Sequence, residues 1–309
     1  MGKIVGSDEF TYEMNEEWAK LPQGWAMPTA AVAVDSHDRV FVFNRTQDHP
    51  VCVFDREGNF LYAWGGGQDT FRFHHAVYID PQDNVWLVER DYCTLMKFSP
   101  RGKHLMTLGV RGYRSNTGIP DDDFRSDSWK RLTRSAGPFN LPTGIVEAPN
   151  GNLFVSDGYA NARVHKFTSM GVYITSWGEP GIGPGQLNLP HGVWIDGKGR
   201  VLVADRENDR IQLFTQEGEY LAEWKPGMVG PANVCLDAQG IVYVAEHNSG
   251  YVSVLSPEGE LLARWGSEKY RSMHGIWVDS HRDLYVAQPG DSGGGLGGRK
   301  VVKYLRQMP

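Results

Sequence analysis

Residues 189–224 read LPHGVWIDGKGRVLVADRENDRIQLFTQEGEYLAEW. Four short apolar runs alternate here with tight polar turns: a run ending at Ile195, the turn DGKGR (196–200), VLVA (201–204), RIQLFT (210–215), the turn QEG (216–218) and a run ending in Trp224. Short runs rich in Val, Ile and aromatics, bounded by Gly and Asp, read as strands joined by hairpin turns. The pattern recurs six times. Its first turns are DSHDR (35–39), DPQDN (80–84), APNGN (148–152), DGKGR, DAQG (237–240) and DSHRD (279–283). A third strand follows in each copy, from CVFD (52–55) to VVKYL (301–305), and four copies end a further strand in Trp64, Trp177, Trp224 or Trp265. Self-similarity of this kind marks a repeat architecture. Each unit is a four-stranded antiparallel meander, and six of them predict an all-β, six-bladed β-propeller, whose radial packing hides the sheet edges.

The first full copy begins near Pro28, and the last ends at VVKYL without a fourth strand. The segment FTYEM (10–14) can supply that strand, so an N-terminal strand is expected to close the ring and residues 1–309 to form one domain. The pattern resembles the NHL-repeat propellers along essentially the whole chain. One segment breaks the rhythm. Residues 112–138 sit between blades two and three, and a long polar insertion is either a disordered loop or a functional cap. The glycine-rich stretch PGDSGGGLGG (289–298) is expected to help shape the pocket.

The chain carries 31 Lys and Arg against 37 Asp and Glu, a net charge of −6. Such a chain has no general attraction for phosphate backbones or anionic lipid, so neither nucleic acid nor a membrane is an expected partner. No apolar run approaches the roughly 18 residues that span a bilayer. The acidic start lacks the apolar core of a signal peptide. Three scattered cysteines, Cys52, Cys93 and Cys235, do not form a disulfide framework and read as buried thiols on apolar strands. A cytoplasmic protein is expected.

Aligning the residue that opens each innermost strand gives Thr29, His75, Thr143, His191, Ala232 and His274. Equivalent positions in a propeller lie on one ring about the axis, and histidine takes every second place. A lone strand histidine is usually a packed, hydrogen-bonded residue, but only ten of the 309 residues are His and three fall on these alternate positions. Three imidazoles can converge on one point in the channel. They leave a fourth tetrahedral position open for water or substrate, which is the catalytic zinc pattern. Other first-row divalent metals also suit nitrogen ligands. His75, His191 and His274 are therefore the expected ligands of one zinc ion. His74 should point the other way along its strand and pack. His37 and His281 fall in outer turns, and His104 and His165 on outer strands, with no expected role.

A second ring follows the inner hairpins: Asn44-Arg45, Glu89-Arg90, Asp157-Gly158, Asp205-Arg206, Glu246-His247 and Gln288-Pro289. Its acidic members are expected to bond neighbouring backbone or outer arginines. Arg45 and Arg206 stand out, because a guanidinium presents a rigid fork to a substrate carboxylate. Tyr159 follows the third pair. A phenol beside a metal ion and arginines can serve as a base, since cations favour its phenolate.

The stretches FNLPTGIVEAPNGNLFVSDGYANARVHKF (139–167) and LPHGVWIDGKGRVLVADRENDRIQLF (189–214), with FNRTQDH (43–49), resemble peptidyl-α-hydroxyglycine α-amidating lyase. That resemblance implies zinc on His75, His191 and His274, Tyr159 as general base, Arg45 in substrate binding and polarisation, and Arg206 supporting the site. The chain departs from the family at several points. Gly275 stands where the family places an aspartate of a structural calcium site, so calcium loses that ligand. Ser272 replaces a methionine. Asn140 with Ala160, and Leu202 with Leu213, replace two disulfides. No monooxygenase domain is expected ahead of the propeller, so the lyase half-reaction alone is the expected chemistry. The expected activity is a metal-dependent lyase that cleaves the C–N bond of an N-acyl hemiaminal, a small-molecule carboxylate, to an amide and a glyoxylate-like product. A metal-dependent lactonase or esterase on the same scaffold is the alternative, and a non-enzymatic NHL interaction module a second one.

Overall fold

A computed structural model describes residues 2–67, 69–289 and 299–307 of the protein. The chain is a six-bladed β-propeller of antiparallel sheets built from consecutive strands. Helix is confined, among the described residues, to three short 3-10 segments, Ser128–Arg131, Arg206–Asn208 and Glu268–Tyr270. The chain forms two compact units, Phe71–Lys225 and Met1–Thr70 with Pro226–Pro309.

The unit Phe71–Lys225 holds blades two, three and four. Blade three runs Pro142–Glu147, Leu153–Asp157, Arg163–Phe167 and Tyr173–Trp177. Its second strand is buried throughout, whereas its fourth is mostly open until Trp177. Inner strands covered on both faces explain why VLVA and LFVS read as continuous apolar runs rather than as alternation. The terminal Trp has a packing role. Trp177 stacks on Phe214 of blade four, with ring centroids 5.8 Å apart, and a Cβ on Gly218 in the QEG turn would lie 2.7 Å from the indole. That turn needs glycine because the preceding blade's tryptophan occupies the space.

The segment 112–138 is a folded part of this unit. Arg114 is its centre: the guanidinium donates to Asn140 Oδ1 at 2.7 Å and to the carbonyls of Asp121 at 2.6 Å and Asp123 at 3.0 Å. Asn140 returns the tie through Nδ2 to Ser115 O and Thr117 Oγ1, both at 2.9 Å. Asp123 binds Arg125, Ser128 and Arg131, and the Arg125 side chain holds its carboxyl well below the usual carboxylate range. Charge-assisted bonds of this number order a sequence that has few apolar residues.

The other unit holds blades one, five and six. Blade six is Ile276–Val278, Leu284–Pro289 and Arg299–Arg306, completed by Phe10–Asn15 in the register Tyr12↔Arg306 and Met14↔Tyr304. The strand FTYEMN alternates buried and half-buried residues, so Phe10, Tyr12 and Met14 face the core, each burial stabilising by about 2 kcal/mol. Tyr12 packs on Trp265 at 5.1 Å. A further strand, Lys3–Ser7, extends the sheet beyond the expected four. Its residues are mostly exposed, which is why the hydrophobic pattern did not reveal it.

Two sequence expectations are corrected. Cys93 is buried like Cys52 and Cys235 but lies in the turn before the strand Thr94–Phe98, at a left-handed φ of +54°. Its sulfur accepts the Leu141 N–H at 3.3 Å. The ring position in blade one belongs to Ala30, not Thr29. Thr29 pairs with Asn44 as His74 pairs with Glu89, and the register skips the next residue in each strand. The stretch 290–298, most of the expected glycine-rich pocket loop, lies outside the described residues.

Candidate functional site

The register of the inner strands explains how side chains reach the site. In each of blades one to five the pairing of the first two strands shifts by one residue near its start, skipping Ala30, His75, Thr143, His191 and Ala232. A bulge places two residues opposite one and re-aims the extra side chain. His75, Thr143 and His191 occupy the bulges of three successive blades. Leu141 and Leu189 precede the last two at φ +63° and +60°, a conformation strained for residues with a side chain, and both are fully buried.

These bulges also stitch the blades of the Phe71–Lys225 unit together. The imidazole Nδ1 of His75 lies 2.8 Å from Thr143 O, and Thr143 Oγ1 donates to Pro190 O at 2.8 Å. A carbonyl only accepts, so His75 carries its proton on Nδ1 and turns the Nε2 lone pair inward. That lone pair lies 3.4 Å from the Tyr159 hydroxyl, and His191 Nε2 lies 3.1 Å from the same oxygen. The two imidazole rings are 4.9 Å apart, and both residues are buried. An inward lone pair held by a backbone hydrogen bond is the condition a metal-binding imidazole must meet, and His75 meets it.

Tyr159 is placed by Gly158. A Cβ there would lie 2.2 Å from Pro190 O, so only glycine lets the chain pass under the next blade's inner strand. The Tyr159 ring then sits between two guanidinium groups, Arg206 with its central carbon 5.6 Å from the ring centroid and Arg90 at 5.1 Å. Arg206 is buried and donates Nε to Glu207 Oε1 at 2.8 Å. Arg45, Arg90 and Arg206 hold equivalent positions: each donates its backbone N–H to the residue before the inner strand, Pro28, Phe73 and Leu189 respectively.

The acidic residues of the second ring have the structural role expected of them. Asp157 accepts Asn140 N at 2.9 Å, Asp205 accepts Asn188 N at 2.6 Å, and Glu246 accepts Val229 N at 2.9 Å, each fastening the loop that enters its own blade. Glu89 does the same for Arg72, Phe73 and Tyr92. Burial nevertheless pushes the Glu89 carboxyl from 4.5 up to about 7. Between those values the folded chain keeps a proton that the unfolded chain has released, so stability falls as the pH rises through this window, by about 3 kcal/mol in full. Glu89→Gln is neutral throughout. The Tm of Glu89→Gln relative to that of the parent protein should therefore climb between pH 5 and pH 8, and a constant difference in thermal unfolding would refute the assignment.

The remaining histidines fit their minor roles. His74 is buried and packs on Phe71 at 5.1 Å. His165 is buried with Nε2 3.2 Å from Asp157 Oδ2, a structural pair. Of the expected site residues, His75, His191, Tyr159 and Arg206 are brought together in one unit. Arg45 and His274 belong to the other. His274 is buried, and its backbone N–H donates to Ala287 O at 2.9 Å. At Gly275 a Cβ would lie 3.1 Å from Ala31 Cα, which leaves no ready room for the aspartate of the family's calcium site. The positions of the family's disulfides are neighbours here as well: Ala160 N donates to Asn140 O at 3.2 Å, and Leu202 pairs with Leu213. Sequence reasoning passed over Arg90, although its place beside Glu89 in the second ring already matched Arg45 and Arg206.

The fold is that of a six-bladed β-propeller, and residues 187–214 match the NHL repeat. The chain is similar in sequence to amidating lyases. It is 30% identical over 186 residues to peptidyl-alpha-hydroxyglycine alpha-amidating lyase 1 of Drosophila melanogaster, covering 56% of this chain and 30% of that one. It is 29% identical over 239 residues to NHL repeat-containing protein 3 of Homo sapiens, covering 74% of this chain and 64% of that one. The chain thus spans less than two thirds of the length of either relative. Its fold matches that of a gluconolactonase from Xanthomonas campestris with a TM-score of 0.63 at 12% identity, over 100% of this chain and 98% of that one. No helix among the described residues is long and apolar enough to cross a membrane.

Proposed function

We propose that the protein is a metal-dependent lyase that cleaves the C–N bond of an N-acyl hemiaminal carrying a carboxylate, releasing an amide and a glyoxylate-like aldehyde. The observation that carries this reading is the convergence of the His75 and His191 Nε2 atoms on the Tyr159 hydroxyl, with Arg206 against the phenol ring. His274 is assigned as the third ligand of a zinc-class ion. Its support is the repeat: His75, His191 and His274 open the inner strands of alternate blades, and all three are buried. The ion, when bound, supplies a Lewis acid for a substrate oxygen.

The chain's own residues carry the remaining roles. Tyr159 takes the proton of the substrate hydroxyl as its oxygen becomes a carbonyl, while the C–N bond electrons leave with nitrogen, which is protonated to the amide. Arg45 holds the substrate carboxylate through its two-pronged fork. Arg206 stabilises negative charge that develops beside the phenol. The relatives named as amidating lyases support this choice of reaction over lactone hydrolysis.

The test joins two measurements on the purified protein: elemental analysis, with about one zinc-class ion per chain expected, and glyoxylate release from α-hydroxyhippurate against acid release from a lactone panel. Lactone turnover without glyoxylate release would replace the lyase with a hydrolase, and a metal-free, inactive chain would leave an interaction module.

A further inference from the structure

Arg90 is buried beside Tyr159, yet nothing in the lyase chemistry above uses it. Its guanidinium is fixed from three directions. It stacks on Phe73 with 3.8 Å to the ring centroid, Nε donates to Asp91 Oδ1 at 2.7 Å, and Nη2 donates to Phe124 O at 3.0 Å. Phe124 belongs to the 112–138 segment, and its ring is itself covered by Arg72 at 4.2 Å and Arg114 at 4.8 Å. Among the described residues, Asp91 is the only carboxylate that pairs with any of these three arginines, at 3.7 Å from Arg72. Three cations thus share one anion. The remaining nitrogen of the Arg90 guanidinium, Nη1, has no acceptor among the described residues.

We propose that Arg90 is a second anion-recognition residue of the Tyr159 site, mounted on the 112–138 segment, and that the substrate carries a second carboxylate besides the one assigned to Arg45. This rests on the lyase reading for the place of the substrate, but not for the anion preference itself. The guanidinium of Arg90 beside the Tyr159 ring favours an anion at that end of the site. The guanidinium that carries Nη1 is held in place, so little entropy remains to be lost when an acceptor arrives. A hydrogen bond to a charged partner in such a setting corresponds to about tenfold or more in affinity. The insertion thereby becomes a specificity element rather than a spacer.

Calorimetric titration of the purified metal-bound protein with glutarate and with butyrate tests the proposal. The wild type should bind glutarate at least about tenfold more tightly. Arg90→Gln should bring the two within about twofold through loss of glutarate affinity, and Arg90→Lys should retain part of the preference. Equal binding of the two acids by the wild type, or an undiminished preference in a folded Arg90→Gln, would overturn it. If Arg90→Gln does not fold, equal binding of the two acids by the wild type still overturns the proposal, and the reduced preference of Arg90→Lys still reports on the side chain. Glyoxylate release from α-hydroxyhippurate is scored separately. A dicarboxylate preference without glyoxylate release removes the lyase and keeps Arg90, and glyoxylate release without the preference does the reverse.

Discussion

Tyr159→Phe is expected to lower turnover about 10²–10⁴-fold, the range a positioned proton acceptor contributes. The substitution deletes one oxygen and leaves the ring. Gly158 still allows the chain to pass beneath Pro190, and Arg90 and Arg206 still have an aromatic face to lie against. The structural cost is small, because the single hydroxyl proton can serve only one of the His75 and His191 Nε2 atoms, so at most one bond of about 1 kcal/mol is lost. Thermal stability should therefore change little, and metal content should be retained, because the phenol is not an assigned ligand. The measurement is steady-state glyoxylate release alongside elemental analysis. Near-normal turnover in a metal-replete Phe variant would show that another group accepts the proton.

The blade repeat was legible because it rests on short-range chemistry: polar hairpin turns, buried strands without alternation, and a terminal Trp that packs on the next blade's Gly turn. The equivalence of His75 and His191 was legible for the same reason, since repeat units can be aligned by eye. The bulges were not. Nothing in the residue types marks a bulge, although the spacing to the turn does place that of blade one: Ala30 stands five residues before Asp35, as His75 does before Asp80 and His191 before Asp196. Arg90 was overlooked for a different reason. Its role depends on Phe124, thirty-four residues away in a segment whose fold is dictated by Arg114 and Asp123 rather than by any periodic pattern. Periodicity reads cores well and reads polar networks poorly, and here the second kind of structure borders the site.

His191→Ala should give the largest loss of all. Removing a residue that only orients a ligand typically costs 10–100-fold in metal affinity, so removing a ligand itself should cost more than about 100-fold. Metal content after dialysis against buffer should fall well below that of the parent, and glyoxylate release with it. Two observations argue against misfolding as the route to the same result. Alanine already occupies the equivalent bulge in blades one and five, as Ala30 and Ala232, so the backbone there tolerates a methyl group. The inter-blade bonds at this point, Thr143 Oγ1 to Pro190 O and Ser156 Oγ to His191 O, run to backbone carbonyls that the substitution keeps. The variant should unfold as a cooperative β-protein at a Tm within several degrees of the parent, less the loss of metal stabilisation, which apo-protein controls measure directly. Full metal retention in a folded His191→Ala protein would remove the three-histidine centre, and with it the lyase reading.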